Sequence, residues 1–414
     1  TLSAMALEIT TPTPVEISEE RQLTETRREL VLNMGPQHPS THGVLRVRLT
    51  LDGETIVACD PIIGYLHRGV EKIGEAHRYS QFVPWTDRTD YVAAPSNNLG
   101  YVLAVEKLCG IEAPERAQYW RMIMAELTRL ASHLVWLGTH ALDIGALSMS
   151  LYCFRDREMI LDIFEKLCGA RLTTNMMEIG GFSRGIPPGL GEMVRDFLRI
   201  FPERMREYEG MLSENPIWLS RTRGVGIIEP EVAISYGLTG ACLRGSGINY
   251  DVRKAQPYLY YDRMDFEVPL GTHGDTYDRY LVRMEEMRQA VRIIEQCLDQ
   301  VPSDGPTALT DSNYVIPPHD TVMTTAEDMQ RHFVWVIKGF SPPKGEVYQA
   351  IEHSKGELGY YLVSDGTPMP YRVRIRTPDF VNLQSLPYMA EGAMLADVVA
   401  IIGTIDIVLG SVDR

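Results

Sequence analysis

The chain has 414 residues, 44% hydrophobic and 23% charged, which predicts two or three structural units around a sizeable core. A formal net charge of −15 excludes a nucleic-acid groove, which needs a basic face, and binding to anionic lipid by charge alone. The six cysteines form no C-x-x-C pair. No zinc ribbon, iron–sulfur cluster or nickel site can be built from local thiolates, and the spread reads as reduced, buried thiols.

In chain order, residues 1–28 are polar and rich in Thr and Glu, which predicts a flexible lead-in with no signal peptide. Residues 29–62 read as a β layer. VLRVRLTL alternates apolar and polar from Val44 to Leu51, Asp52-Gly53 supplies a hairpin turn, and ETIVACD returns. From 63 to 340 the pattern is that of a helical bundle. Its longest helix is expected from Pro114 to about Leu151, with one buried stripe through Ile123, Leu127, Leu130, Leu134, Leu137, Ala141 and Ile144. Further helices are expected at 97–109, 154–168, 189–213, 275–301 and 324–338, with Gly110 and Gly169 as C-terminal caps. Residues 215–272 are irregular and rich in Gly, Arg and Tyr. An α+β cap over 341–414 contains the strand YRVRIRTP and a short helix near 388–402. The most apolar stretch, Met394 to Val412, is interrupted by Asp397 and Asp406, so a soluble or peripheral protein is expected.

One short segment stands out. In NMGPQHPSTHGVLR (Asn33 to Arg46), His38 and His42 are four apart, but Gly35, Pro36, Pro39 and Gly43 make the segment a turn rather than a helix. A histidine in such a turn is commonly a backbone-bonding structural residue.

That segment, GYLHRGVEK (Gly64 to Lys72), DRTDY (Asp87 to Tyr91), GINYDVRKA (Gly247 to Ala255), PPKGEVY (Pro342 to Tyr348), GELGYYLVSDG (Gly356 to Gly366) and FVNLQSLP (Phe380 to Pro387) occur in the order found in a known family. The chain resembles the quinone-site, D-type subunit of respiratory complex I, NADH:quinone oxidoreductase, from about residue 30 to the terminal VDR. The resemblance implies an α+β fold like the large subunit of nickel–iron hydrogenases: a central helical bundle, an N-terminal β layer and a C-terminal α+β cap. Where hydrogenases hold nickel with two C-x-x-C pairs, this chain reads Arg88-Thr89-Asp90-Tyr91-Val92-Ala93 and Asp406-Ile407-Val408-Leu409-Gly410-Ser411, without a cysteine. No metal is expected. The implied use of the vacated cavity is to hold a quinone headgroup.

Quinone reduction takes two electrons and two protons, so donors must reach both carbonyl oxygens. A tyrosine hydroxyl donates at neutral pH, a histidine can donate and reload, and a carboxylate orients that histidine. By resemblance Tyr91 bonds one carbonyl, His42 lies near the other, and Asp143 pairs with His42. His38 braces the turn or lines the pocket with Asp406 and Val408. Arg68 and Arg88 match positions facing the terminal iron–sulfur cluster of a neighbouring subunit, where fixed positive charge tunes potential; the rival reading is a surface ion pair, with Glu71 as partner. Thr173 stands where many members carry a histidine near that cluster, which implies a less pH-dependent cluster potential. His133 and His140 read as structural.

No cofactor is expected on this chain alone. Quinone is the substrate, the [4Fe-4S] cluster belongs to a partner, and NADH and FMN bind elsewhere in the complex. Gly224-Val-Gly226 and Gly245-Ser-Gly247 lack the strand–turn–helix setting of a dinucleotide fingerprint. The implied partners are the terminal-cluster small subunit, a C-type subunit, the two-cluster ferredoxin-like subunit and the membrane subunit that admits the quinone. The implied place is the cytoplasmic side of a bacterial membrane, or the matrix side in a mitochondrion. Two rivals remain: a structural scaffold of the same complex, and a hydrogenase-type catalytic subunit.

Overall fold

The structure is a computed structural model that describes residues 15–22, 28–310 and 312–414. Its N-terminal part is a four-stranded antiparallel sheet in sequential order: β1 (Val15–Gln22), β2 (Arg28–Met34), β3 (Arg46–Asp52) and β4 (Thr55–Ile62). The β3–β4 hairpin turns at Asp52-Gly53, where φ of +63° at Gly53 suits a residue without a Cβ. Val47, Leu49 and Leu51 alternate into the core, as the period-two pattern predicts. The expected lead-in is interrupted by β1, which pairs along β2 from Val15 opposite Met34 to Gln22 opposite Arg28. The free edge of β2 would otherwise leave a row of backbone donors and acceptors unpaired. The rest of that lead-in, 1–14 and 23–27, lies outside the described residues.

Two short helices that the periodicity does not separate, α1 (Val70–Ala76) and α2 (Tyr79–Thr86), lead into the bundle of α3 (Ala94–Cys109), α4 (Glu115–Asp143), α5 (Leu147–Cys168), α6 (Leu190–Leu212) and, after a gap in sequence, α11 (Thr276–Gln300). A small hairpin, β5 (Met177–Glu178) and β6 (Gly181–Phe182), separates α5 from α6. The helix expected from 114 to 151 ends at Asp143. The Ala146 N–H turns back to Ala141 O and Gly145 sits at φ +102°, so the chain reverses and α5 starts at Leu147 rather than 154. The reversal lets α5 lie close on α4, with Gly138 against Ser150 and Cys153. Burial of α4 exceeds one stripe: Arg121, Glu126, Arg129, His133 and His140 are inside with the leucines, because α5, α11 and the C-terminal segment cover several of its faces. The irregular 215–272 stretch contains α7 (Pro216–Thr222), α8 (Pro230–Ser235), α9 (Ala241–Arg244) and α10 (Val252–Ala255).

After α12 (His319–Val322) and α13 (Ala326–Lys338), the chain forms a second antiparallel sheet of β7 (Gly345–His353), β8 (Gly356–Ser364) and β9 (Arg372–Arg376). This sheet packs on α3, where Gly100 admits the Tyr360 ring. Four short helices close the fold: α14 (Pro378–Leu383), α15 (Leu386–Ala390), α16 (Leu395–Ile405) and α17 (Leu409–Val412). The single helix expected near 388–402 is thus two, split at Glu391-Gly392. No helix among the described residues is long and apolar enough to cross a membrane. The architecture is mixed, a helical bundle flanked by two small sheets.

Candidate functional site

The His38–His42 segment is a turn. Pro39–Thr41 makes one 3-10 turn, His38 Nδ1 accepts the Ser40 N–H at 3.2 Å, and Thr41 Oγ1 donates to His38 O at 2.8 Å. His38 is therefore the brace of the turn. His42 is held left-handed at φ 51°, ψ 41°, a conformation that costs a non-glycine residue about 1–2 kcal/mol. The turn fixes it there, and its Nε2 lies 2.8 Å from Asp143 Oδ2, the last residue of α4. These side chains are 12% and 8% exposed, so the pair is shielded yet reaches a surface.

Tyr91 lies between α2 and α3 and is 42% exposed. Burial of part of its ring, then the Asp90 charge, push its hydroxyl above the ordinary value, while Lys355 acts against them. It therefore stays protonated at neutral pH. The segment 406–411 touches both the His42 turn and the Tyr91 loop: Gly43 faces Leu409, and Gly410 lies so close to Thr89 O and Arg88 O that a Cβ would sit 2.7 Å from the former. The two stretches that lack cysteines thus meet in space. Asp406 is left-handed at φ 60° where α16 ends, and Val408 is buried.

Sequence reasoning missed a charged cluster behind Tyr91. Lys355 Nζ is 3.1 Å from Asp90 Oδ2, 3.8 Å from Asp406 Oδ2 and 3.1 Å from Ser132 Oγ. His353 Nε2 is 3.6 Å from Asp90 Oδ2, and burial lowers its pKa to about 3, so the ring is neutral. Asp379 accepts the Val408 N–H at 2.8 Å and the Ser411 hydroxyl at 2.6 Å, and burial, then Asp90, raise it to about 7. His353 and Lys355 belong to the β7–β8 hairpin tip, which is plugged into the core. Charged residues at a two-residue turn read as solvated, so no local signal marked them. His133 bonds Glu286 at 2.9 Å, and His140 stacks on Trp136, both wholly inside the bundle.

A sequence profile described as respiratory-chain NADH dehydrogenase, 49 Kd subunit, matches residues 143–414. The chain belongs to this family. It is 57% identical over 385 residues to the D-type NADH-quinone oxidoreductase subunit of Geotalea uraniireducens, covering 93% of this chain and 98% of that protein. It is 55% identical to the D-type subunit of Geobacter sulfurreducens over the same shares. It is 52% identical to the D-type subunit numbered 2 of Chloroflexus aurantiacus, over 98% of this chain and 99% of that protein.

In this chain the two singled-out arginines stand together. Arg68 Nη2 donates to Arg88 O at 2.8 Å, and Arg88 Nη1 donates to Pro84 O at 2.6 Å, with both guanidinium groups exposed. Glu71 is not their partner: it pairs with Arg374 at 3.1 Å and Arg414 at 3.5 Å. Among the described residues neither Arg68 nor Arg88 has a carboxylate within ion-pair distance, so the ion-pair reading fails for both. Next to Arg88, Asp87 is buried and raised to about 7 by desolvation, and it accepts the Asn175 N–H at 2.8 Å. That bond ties the Thr173 loop, with Thr173 at φ 40°, to the Arg88 region. A cavity of about 1000 Å³ lies elsewhere, lined by Phe182, Leu309, Val315, Met323 and Trp335. Asn175 reaches its edge, but none of the predicted site residues borders it.

Proposed function

We propose that the chain, a subunit of NADH-quinone oxidoreductase (respiratory complex I) whose partners are other subunits of that complex, forms most of the quinone headgroup pocket and supplies both protons of quinone reduction. The fold, on this reading, is a hydrogenase large-subunit layout whose nickel cavity has become the pocket. Tyr91 donates its hydroxyl proton to one carbonyl oxygen, and His42 donates to the other. Asp143 holds the imidazole in place and stabilises its cation before donation. Electrons arrive from a [4Fe-4S] cluster on the small partner subunit, beside the exposed Arg68 and Arg88 and near Thr173. His38 keeps the turn rigid, and Asp406 and Val408 line the pocket wall. The chain itself holds no cofactor, NADH and FMN being bound elsewhere in the complex. The C-type, ferredoxin-like and membrane quinone-entry subunits complete its surroundings, on the cytoplasmic or matrix side.

The observation that carries this reading is the 2.8 Å His42–Asp143 pair beside a segment that also packs on the Tyr91 loop. On this reading a proton donor, its orienting acid and a second donor serve one pocket. The test is Tyr91→Phe in native membranes, comparing NADH oxidation by quinone with NADH oxidation by a hydrophilic acceptor reduced upstream. Quinone turnover should fall roughly a hundredfold, the usual worth of a positioned proton donor, with the upstream rate unchanged. If both rates stay normal, the subunit is a scaffold at this point and the pocket lies elsewhere.

A further inference from the structure

Behind Tyr91, one ammonium pairs with two carboxylates and a third carboxyl lies beside them in a largely buried site. Asp90, Asp379 and Lys355 are each at most 2% exposed, and Asp406 is 8% exposed. They come from four elements that the fold must bring together: the α2–α3 loop, the N-terminus of α14, the β7–β8 tip and the end of α16. His353 stays neutral, so it adds no charge. Fully ionised, three carboxylates and one ammonium would leave two net negative charges in a low-dielectric interior. Such an excess is relieved by keeping a proton on one carboxyl.

The partners select which one. Asp90 has Lys355 at 3.1 Å, and Asp406 has it at 3.8 Å. Asp379 has no ion-pair partner within 4 Å among the described residues, only the Val408 N–H and the Ser411 hydroxyl; the Arg414 guanidinium acts on it from farther off and is itself paired with Glu71 at 3.5 Å. It is the carboxyl with the least to lose by protonation. The cluster also has unused hydrogen-bonding capacity: Asp406 Oδ2 and His353 Nε2 are buried and have no hydrogen-bond partner among the described residues. Asp90 precedes Tyr91 in the chain, and Asp379 bonds Val408 and Ser411 of the segment that packs through Gly410 on the Tyr91 loop.

We propose that Asp379 is the proton reservoir that reloads Tyr91 after each quinone reduction, within a relay formed with Asp90, Asp406 and Lys355. This rests on the reading of Tyr91 as a donor. The cycle balances in protons: the Tyr91 O–H bond breaks as its proton passes to the reduced quinone oxygen, the Asp379 carboxyl proton passes to the tyrosinate, and Asp379 is reloaded from solvent by way of Asp406, the most exposed member of the relay. The electrons are those of the established reaction. The transfer to tyrosinate runs downhill, because a phenol held above its usual value of about 10 is a stronger base than a carboxylate near 7. Asp379 acts through Tyr91 and is a positioning and supply residue, not one that touches the quinone.

The test uses the intact complex in native membranes, with steady-state quinone reduction followed from pH 5.5 to 9 and the hydrophilic acceptor as the assembly control. In the parent complex, the rate should fall on an alkaline limb centred near pH 7 as Asp379 loses its proton. Asp379→Asn should lower the rate at least tenfold at pH 6 and remove that limb, and Asp379→Glu should restore both. Ser411→Ala takes away a donor that favours the carboxylate and should move the limb up by about half a pH unit or more, without lowering the rate at pH 6. Parent-like rate and limb in Asp379→Asn overturn the proposal; if that variant fails the assembly control, an unmoved limb in Ser411→Ala overturns it instead. A Tyr91→Phe complex of normal quinone rate defeats the underlying donor reading, whereas loss in Tyr91→Phe with a parent-like Asp379→Asn defeats the reservoir alone.

Discussion

Asp143 reaches His42 across 101 residues of chain, and the whole value of that contact lies in where α4 stops. Had the helix run on to residue 151, as its periodicity predicts, Asp143 would be one charge among several on a mid-helix surface. Asp143→Asn keeps an oxygen that can face His42 Nε2 but removes the carboxylate charge beside it on which the proposed proton donation relies. Quinone reduction should drop about tenfold, and Asp143→Ala should drop it further, both with the upstream acceptor rate intact. At Gly410 the argument is steric: a methyl group 2.7 Å from Thr89 O forces the 406–411 segment away from the Tyr91 loop. Gly410→Ala should cost both quinone turnover and thermal stability, in contrast to Tyr91→Phe, which should cost turnover alone. Thr173 cannot take up a proton on cluster reduction as a histidine would. EPR redox titration at several pH values should therefore give a potential that moves little with pH, and a full proton-coupled slope would refute this. Among the candidate site residues, Tyr91, His42 and Asp143 were singled out because their motifs carry a family resemblance, and the structure brings the last two together. Lys355 and Asp379 were not, since a turn lysine and a helix-start aspartate look solvated in sequence.

At the scale of elements, the bundle is knit by buried charge as well as by apolar packing. Arg244 at the end of α9 bonds Glu286 of α11 and, at 2.8 Å, Glu352 of β7. Glu286 bonds His133 of α4, and Arg253 of α10 joins Asp251 to Glu126 of α4 at 2.7 and 3.1 Å. Each carboxylate has a guanidinium partner and the groups are wholly buried, so the network is costly to break one member at a time. Arg244→Met should destabilise the chain by about 3–5 kcal/mol, because it strands two buried carboxylates; Arg244→Met with Glu286→Gln and Glu352→Gln should recover much of that loss. Thermal scans of the parent and these variants decide it, and a single variant as stable as the parent would mean the network contributes little. This network explains why helix positions were readable while the burial of α4 was not. Periodicity identifies an apolar stripe, but Arg121, Glu126, Arg129 and His133 go inside only because distant elements supply their partners. The same holds for β1, which exists through the edge of β2 rather than through its own pattern.

Across the whole molecule, groups that resist protonation oppose groups that favour it. His133, His140 and His353 are buried, and desolvation lowers the pKa of each, so the unfolded chain binds their protons first. These imidazoles contribute stability at neutral pH that is lost as pH falls below about 6.5. Asp87 and Asp379, raised to about 7, act oppositely: the folded state keeps their protons, so stability falls as pH rises from about 4 to 7. Burial also raises Glu178 and Glu352, so between pH 4.5 and 7 four raised carboxyls face three lowered imidazoles, the two sets largely offset, and stability should change little. Below about pH 4 the raised carboxyls are protonated in folded and unfolded chain alike and no longer compensate. There, Glu286, Glu126 and Asp90 add to the imidazoles. Burial alone would raise these three carboxylates, but Arg244, Arg129 and Lys355 respectively outweigh it and hold them below their ordinary values. Their contribution is present above the unfolded value near 4 and is lost as pH falls through the lower folded one. The expected profile is a plateau that breaks steeply on the acid side. Asp379→Asn removes one offsetting group, so its stability relative to the parent should rise with pH across the plateau, by up to about 1.4 kcal/mol per pH unit. Melting temperatures of parent and variant complexes from pH 3 to 8 measure this directly. A constant difference between them would mean that Asp379 is ionised throughout, which would also leave Tyr91 without its reservoir.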